Sequence, residues 1–167
     1  MATIQDRVIR AAKLDAELYE EVEADRDATG QAMAVVALSA AAAGIGLGGG
    51  GLLGIVGGTL VALAGWFVWA FLTYVIGTRL LPESQTKADY GELLRTLGFS
   101  SAPGLIRVLG IVPGLGGFVF LVSGVWMLVA MVIAVRQALD YTSTLRAVGV
   151  CLIGWFAQAV MLALFIR

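Results

Sequence analysis

The sequence predicts an all-α integral membrane protein: a bundle of about five transmembrane helices, the third short or re-entrant, preceded by an N-terminal amphipathic helix. Three observations predict it. The 167 residues are 59% hydrophobic and only 14% charged, where a soluble domain carries about 25% charged residues. No charge falls between Asp27 and Arg79 (51 residues), between Arg107 and Arg136 (28) or between Arg146 and Arg167 (20). A hydrocarbon core takes about 20 apolar residues as a helix, and these runs are apolar all round rather than along one stripe. Two units are therefore expected, a cytoplasmic lead-in over 1–27 and a transmembrane bundle over 28–167.

The first 27 residues hold twelve charges. Ile4, Val8, Ala11, Leu14, Leu18 and Val22 fall on one helical face. Thr3, with Asp6 after it, marks a helix start, and Asp15 marks a second one at Ala16. Arg7, Arg10 and Lys13 against Asp6 make the first half basic, suited to anionic headgroups, where each cation contributes about 1 kcal/mol. Asp15, Glu17, Glu20, Glu21, Glu23, Asp25 and Asp27 against Arg26 make the second half acidic and place it in water. Two readings stand, a solvated lead-in or a partner-docking element. A signal peptide has an early apolar core. Here that core begins after Asp27, so the expectation is an uncleaved chain whose first membrane helix is its targeting signal.

The longest uncharged run exceeds one span, and nine of the fifteen residues from Gly44 to Gly58 are glycine. Glycine costs a helix interior about 1 kcal/mol against alanine. The run therefore divides into spans of about 31–47 and 52–78 around a tight reversal at Gly48–Gly51. Gly46, Gly48 and Gly51 fit G-x-G-x-x-G, but a dinucleotide fingerprint follows a strand and is followed by an acid about 20 residues on. Here an alanine-rich helix precedes it and the next acid is Glu83, so no nucleotide is expected. Close packing explains the glycines better. Ala40, Gly44 and Gly48 recur every four residues, as do Gly50, Gly54 and Gly58. Such small-residue ridges bring helices together, either within the chain or against a partner.

Residues 79–103 are polar. Pro82 ends a helix, and Asp89 to Leu97 has the spacing of an interfacial helix, stopped by Gly98. Pro113 to Gly117 splits the next run into a short segment, 102–112, and a full span, 118–136; the alternative is one long kinked helix. The positive-inside rule favours the split. With five spans, Arg7, Arg10, Lys13, Arg26, Arg79, Lys87, Arg95, Arg136 and Arg146 share one side and Arg167 alone takes the other. Arg107, one turn into the short segment, snorkels back. Asp140 to Arg146 forms a cytoplasmic loop, with Thr142 or Ser143 capping the last span, 147–166. The chain is expected in the cytoplasmic membrane with its N-terminus cytoplasmic.

The residues that are missing narrow the chemistry. There is no histidine, so no Ser-His or Cys-His pairing. Cys151 is single and no span contains a carboxylate, which argues against a coupled transporter. A net charge of −1 without a basic patch argues against nucleic acid. Neither catalysis nor a cofactor nor a metal is expected. Trp66, Trp69, Trp126 and Trp155 lie mid-span, where interfacial belts would place tryptophan at span ends. Two readings stand: internal packing, or, together with Arg107, contact with a lipid, quinone, pigment or partner.

The order of these features resembles the Yip1 domain family in its short bacterial form. The acidic lead-in from Leu14 to Met33, "FSSAPGLIRVLGIVPGLGG" from Phe99 to Gly117, and "VWMLVAMVIAVRQALDYTSTLRAVGV" from Val125 to Val150 carry the resemblance, which covers about residues 14–166. It implies a five-helix bundle in a bacterial inner membrane. Eukaryotic members are associated with Rab-type GTPases and vesicle traffic, but this chain lacks their long polar N-terminal region, so GTPase binding is not carried over. The function expected is that of a non-enzymatic scaffold or accessory subunit in contact with membrane lipids and other membrane subunits. The alternative is a membrane-shaping or lipid-organising protein, with a passive channel third.

Overall fold

The computed structural model describes residues 3–48 and 50–165, except for the side chains of 161, 162, 164 and 165. Gly49 of the reversal, Ile166 at the expected end of the last span and the terminal Arg167 lie outside the described residues. Among the described residues every regular element is helical.

Thr3 opens α1, Ile4–Ala12, with a reciprocal cap: the Asp6 N–H donates to the Thr3 hydroxyl at 3.2 Å and the Thr3 N–H to the Asp6 carboxylate at 3.3 Å. Leu14 takes a left-handed φ of 63° and turns the chain back. Asp15 then accepts the Glu17 N–H and starts α2, Ala16–Ala24. The reversal lays the basic half against the acidic half. Arg7, only 4% exposed, donates to Glu21 at 3.1 Å, Asp25 at 2.7 Å and the Gln31 side chain at 3.0 Å. Arg10 donates to Asp15 at 2.7 Å and Glu21 at 2.6 Å. These cations therefore face the acids of α2 rather than headgroups. The acidic half also has an inner face: Leu18, Tyr19 and Val22 are fully buried, where α2 packs against α5, Tyr90–Phe99, and α6, Gly116–Ala138.

Three helices are long and apolar enough to cross a membrane: α3, Ala28–Gly46; α4, Gly51–Val75, with its π-helical continuation Ile76–Leu80; and α6. A further apolar helix, α7, Thr144–Phe165, closes the bundle. Gly48 and Gly50, expected both in the reversal and in the packing ridges, form the turn between α3 and α4, with φ of 62° and 77°; a Cβ is disfavoured there. At the other end of α4 the π-turn frees carbonyls that Tyr141 takes, its hydroxyl lying 2.7 Å from the Leu81 oxygen and 3.0 Å from that of Gly77.

The segment expected to be interfacial is a helix, α5, but it is buried. Leu93 to Phe99 are all inaccessible, packed between α2, α3, α4 and α6. Its charge is what made it look interfacial, and that charge is satisfied inside. Arg95 donates to the carbonyls of Val22, at 2.8 Å, and Glu23, the unpaired acceptors at the C-terminal end of α2. The next segment is a 3-10 helix, Ala102–Ile111, with Pro103 in its first turn, not an α-helix. With three residues per turn, Gly104, Arg107 and Gly110 share one face.

That face runs along α3. A Cβ on Gly98 would lie 2.6 Å from the Ala32 Cβ; one on Gly104 would strike the Ser39 hydroxyl; one on Gly110 would lie 3.0 Å from the Gly46 oxygen. Glycine thus lets α5 and the 3-10 helix lie in succession against α3, from Ala32 to Gly46. At 1.5 and 2.0 Å per residue the pair is about 35 Å long.

Candidate functional site

Where α4 leaves α3, the helices enclose two adjoining cavities. The larger, of about 480 Å³, lies between α3, α4, α5, α6 and α7. Trp66 and Trp69 wall it from α4, Met127 and Met131 from α6, and Trp155 from α7, with Ser39, Ser100, Ser101 and Gln158 as its uncharged polar groups. The second, of about 380 Å³, lies between α3 and the N-terminal half of α4, lined by Ala40, Gly44, Gly54, Gly58 and Ala62. Arg107 borders both, and among the described residues it is the only charged one lining either.

The 3-10 helix places this arginine. Its face is pinned backbone to backbone on α3, since a Cβ on Gly46 would strike the Arg107 carbonyl. The guanidinium Nε donates to the Ser123 hydroxyl at 2.9 Å, and Ser123 passes a bond to the Phe120 carbonyl at 3.1 Å. The guanidinium carbon stands 5.6 Å above the Phe120 ring, a cation–π distance. Ser123 and Phe120 together hold the Arg107 side chain in place. Arginine has five N–H donors; Nε takes Ser123, and among the described residues no acceptor is bonded to the Nη groups.

The tryptophans divide. Trp66 is spent inside, donating to the Leu94 carbonyl at 3.1 Å. Trp126 lines neither cavity and donates across the bundle to the Ala12 carbonyl at 2.8 Å, tying α1 to α6. Trp155 is half exposed at the cavity edge. Trp69 is 9% exposed, and its indole N–H has no hydrogen-bond partner. An unpaired buried donor costs free energy, and among the described residues this one has no acceptor.

The residues singled out from the sequence are therefore only partly brought together. Ala40, Gly44, Gly54 and Gly58 border the smaller cavity; Gly44 is the one pressed on a side chain, with a Cβ there lying 3.1 Å from Ile55 Cγ1, whereas Gly58 meets nothing within 4 Å. Trp66, Trp69, Arg107 and Trp155 border the larger one. Gly48, Gly50 and Trp126 serve the turn and the α1 contact. The glycines that bring α5 and the 3-10 helix onto α3, Gly46, Gly98, Gly104 and Gly110, were missed, as was Ser123 as the partner of Arg107. A spacing of three through Gly104, Arg107 and Gly110 was the available signal.

At the polar end of the bundle, Glu83 ties two loops. It accepts the Thr142 hydroxyl at 2.7 Å and the N–H groups of Thr142 and Ser143 at 3.0 and 3.2 Å, just before α7 begins. These bonds hold its carboxyl down at about 2. A carboxylate at a helix start is stabilised by the helix dipole.

A family model for the Yip1 domain matches residues 16–166, nearly the whole chain. No curated protein and no solved structure matches the chain significantly.

Proposed function

Since this chain belongs to the Yip1 domain family, a family of membrane proteins with apolar helices, we propose that it is a non-enzymatic scaffold or accessory subunit of a larger complex in the cytoplasmic membrane. Its five crossing segments would be α3, α4, α5 with the 3-10 helix, α6 and α7, with the N-terminus cytoplasmic. The observation that carries this reading is the fixed N-terminal collar. Arg7 locks α1 and α2 to the start of α3, and Arg95 holds the end of α2. With Leu18, Tyr19 and Val22 turned inward, Glu17, Glu20 and Asp27 stand exposed along the outer side. Such a preorganised acidic stripe suits a basic cytoplasmic partner, because little ordering cost remains to be met on binding.

The leaflet-wedging alternative ranks below it for a specific reason: its two principal cations, Arg7 and Arg10, are engaged with Asp15, Glu21 and Asp25. The test is capture of the full chain from its own membranes in mild detergent. A stoichiometric partner lost on combining Glu17→Lys with Asp27→Lys, at unchanged helicity, is the expected result. Recovery of the protein alone, or a partner indifferent to both reversals, overturns the reading.

A further inference from the structure

We infer that the paired cavities form a binding site for one anionic phospholipid drawn from the surrounding leaflet, its phosphate on Arg107 and an acyl chain along the tryptophan wall of the larger cavity. The inference stands independently of whether a partner docks on α2.

Charge is the first argument. Among the described residues Arg107 is the sole charged one at these cavities, with no acid to balance it there. An arginine at membrane depth marks a site unless it is paired. Ser123 fixes Nε and Phe120 supports the plane, which leaves the two Nη groups free. A guanidinium presented this way takes a phosphate through two parallel bonds. Trp69 also lines this cavity, and its buried indole N–H has no partner among the described residues. Shape agrees. Apart from Ser39, Ser100, Ser101 and Gln158 the remaining wall is apolar side chain and small residue, and the volumes of about 480 and 380 Å³ lie within the range of small-molecule sites.

Entry and depth fit a lipid rather than a dissolved ion. Gly54 and Gly58 are exposed and carry no side chain, so the smaller cavity opens between α3 and α4 onto the outer surface of the bundle. Arg107 stands four residues before the end of the 3-10 helix at Ile111, roughly 8 Å along it. A headgroup entering from that leaflet sinks by only that depth, with its chain continuing past Trp66 and Met127.

The test uses the full-length protein in a maltoside detergent, titrated with dioleoylphosphatidylglycerol, dioleoylphosphatidylcholine, oleate or inorganic phosphate. Native mass spectrometry reads the bound species, and tryptophan fluorescence reads the site. One phosphatidylglycerol per chain should survive activation that strips phosphatidylcholine. Arg107→Gln should lower its retention about tenfold or more, the scale set by losing a charge-assisted bond. Trp69→Phe, which removes one N–H and keeps the ring, should lower it by a smaller factor, and Arg26→Gln on the exposed collar should leave it unchanged. If Arg107→Gln does not fold, Trp69→Phe and the comparison of the two phospholipids decide. Equal retention of both phospholipids, preference for oleate, displacement by inorganic phosphate, or variants that bind like the parent each overturn the inference.

Discussion

Glu23, in the last turn of α2, is surrounded by acids. Burial and the facing carboxylates of Glu92, Asp140 and Glu20 push its carboxyl up to about 7, with Arg95 opposing them. A carboxyl raised from 4.5 in this way favours the folded state while protonated. Its contribution is full at pH below the unfolded value and is lost as pH rises from there through about 7. Glu23→Gln stays neutral throughout. Thermal unfolding in detergent, followed by circular dichroism, should therefore give parent and variant curves that converge near pH 4.5 and diverge by pH 8, the variant being the more stable. Parallel curves across that range would show that Glu23 is solvated. Glu83 does not confuse the window, because a carboxyl held at about 2 loses its contribution only as pH falls below the unfolded value. The sequence displayed seven acids between Asp15 and Asp27, but not their orientation. Which of them face Arg7 and which face one another is set by the reversal at Leu14, and a leucine carries no turn signal.

At the scale of elements, Gly44 of the four-residue ridges is pressed on Ile55 of α4, while the approach of α5 and the 3-10 helix to α3 rests on Gly46, Gly98, Gly104 and Gly110. The apolar helices were legible because charge is excluded from hydrocarbon, and three uncharged gaps mark where they run. The α5 and 3-10 segment was not, because its period changes from 3.6 to 3 near Ser101 and because Glu92 and Arg95 resemble an interfacial pattern. Their charges are met instead by the Asp89 N–H at the α5 start, which donates to the Glu92 carboxylate, and by the α2 carbonyls that take Arg95. The contrast can be measured with two alanines. Gly98→Ala puts a Cβ 2.6 Å from the Ala32 Cβ and 3.1 Å from its Cα and carbonyl oxygen, backbone that cannot move aside alone. Overpacking of this kind costs about 1–3 kcal/mol. Gly57→Ala meets nothing within 4 Å and gains helix propensity, up to about 1 kcal/mol. Denaturant unfolding in mixed micelles should order the three proteins as Gly57→Ala, parent, Gly98→Ala. A stable Gly98→Ala protein would mean that α5 does not lie against α3.

For the whole molecule, the decisive quantity is the number of crossings. Counting cations gave five, with nine basic residues from Arg7 to Arg146 on one side. The glycine contacts lay α5 and the 3-10 helix along α3 from Ala32 to Gly46, an arrangement that suits the proposed five. Trp126 and Ala12, 114 residues apart, then close the collar onto the bundle, a contact no local pattern announces. Five crossings make a definite prediction for single cysteines placed in a Cys151→Ala background. Glu17→Cys and Lys87→Cys stand on the cytoplasmic side; Leu47→Cys and Leu115→Cys, at the α3–α4 turn and the start of α6, stand opposite. A membrane-impermeant maleimide added to intact cells should label the second pair and spare the first, and inverted vesicles should reverse the pattern. A re-entrant third segment would instead return Leu115 to the side of Lys87 while leaving Leu47 in place. The Leu47 and Leu115 pair therefore separates a crossing from a re-entrant loop, since both residues stay together only if α5 and the 3-10 helix span the bilayer as one unit.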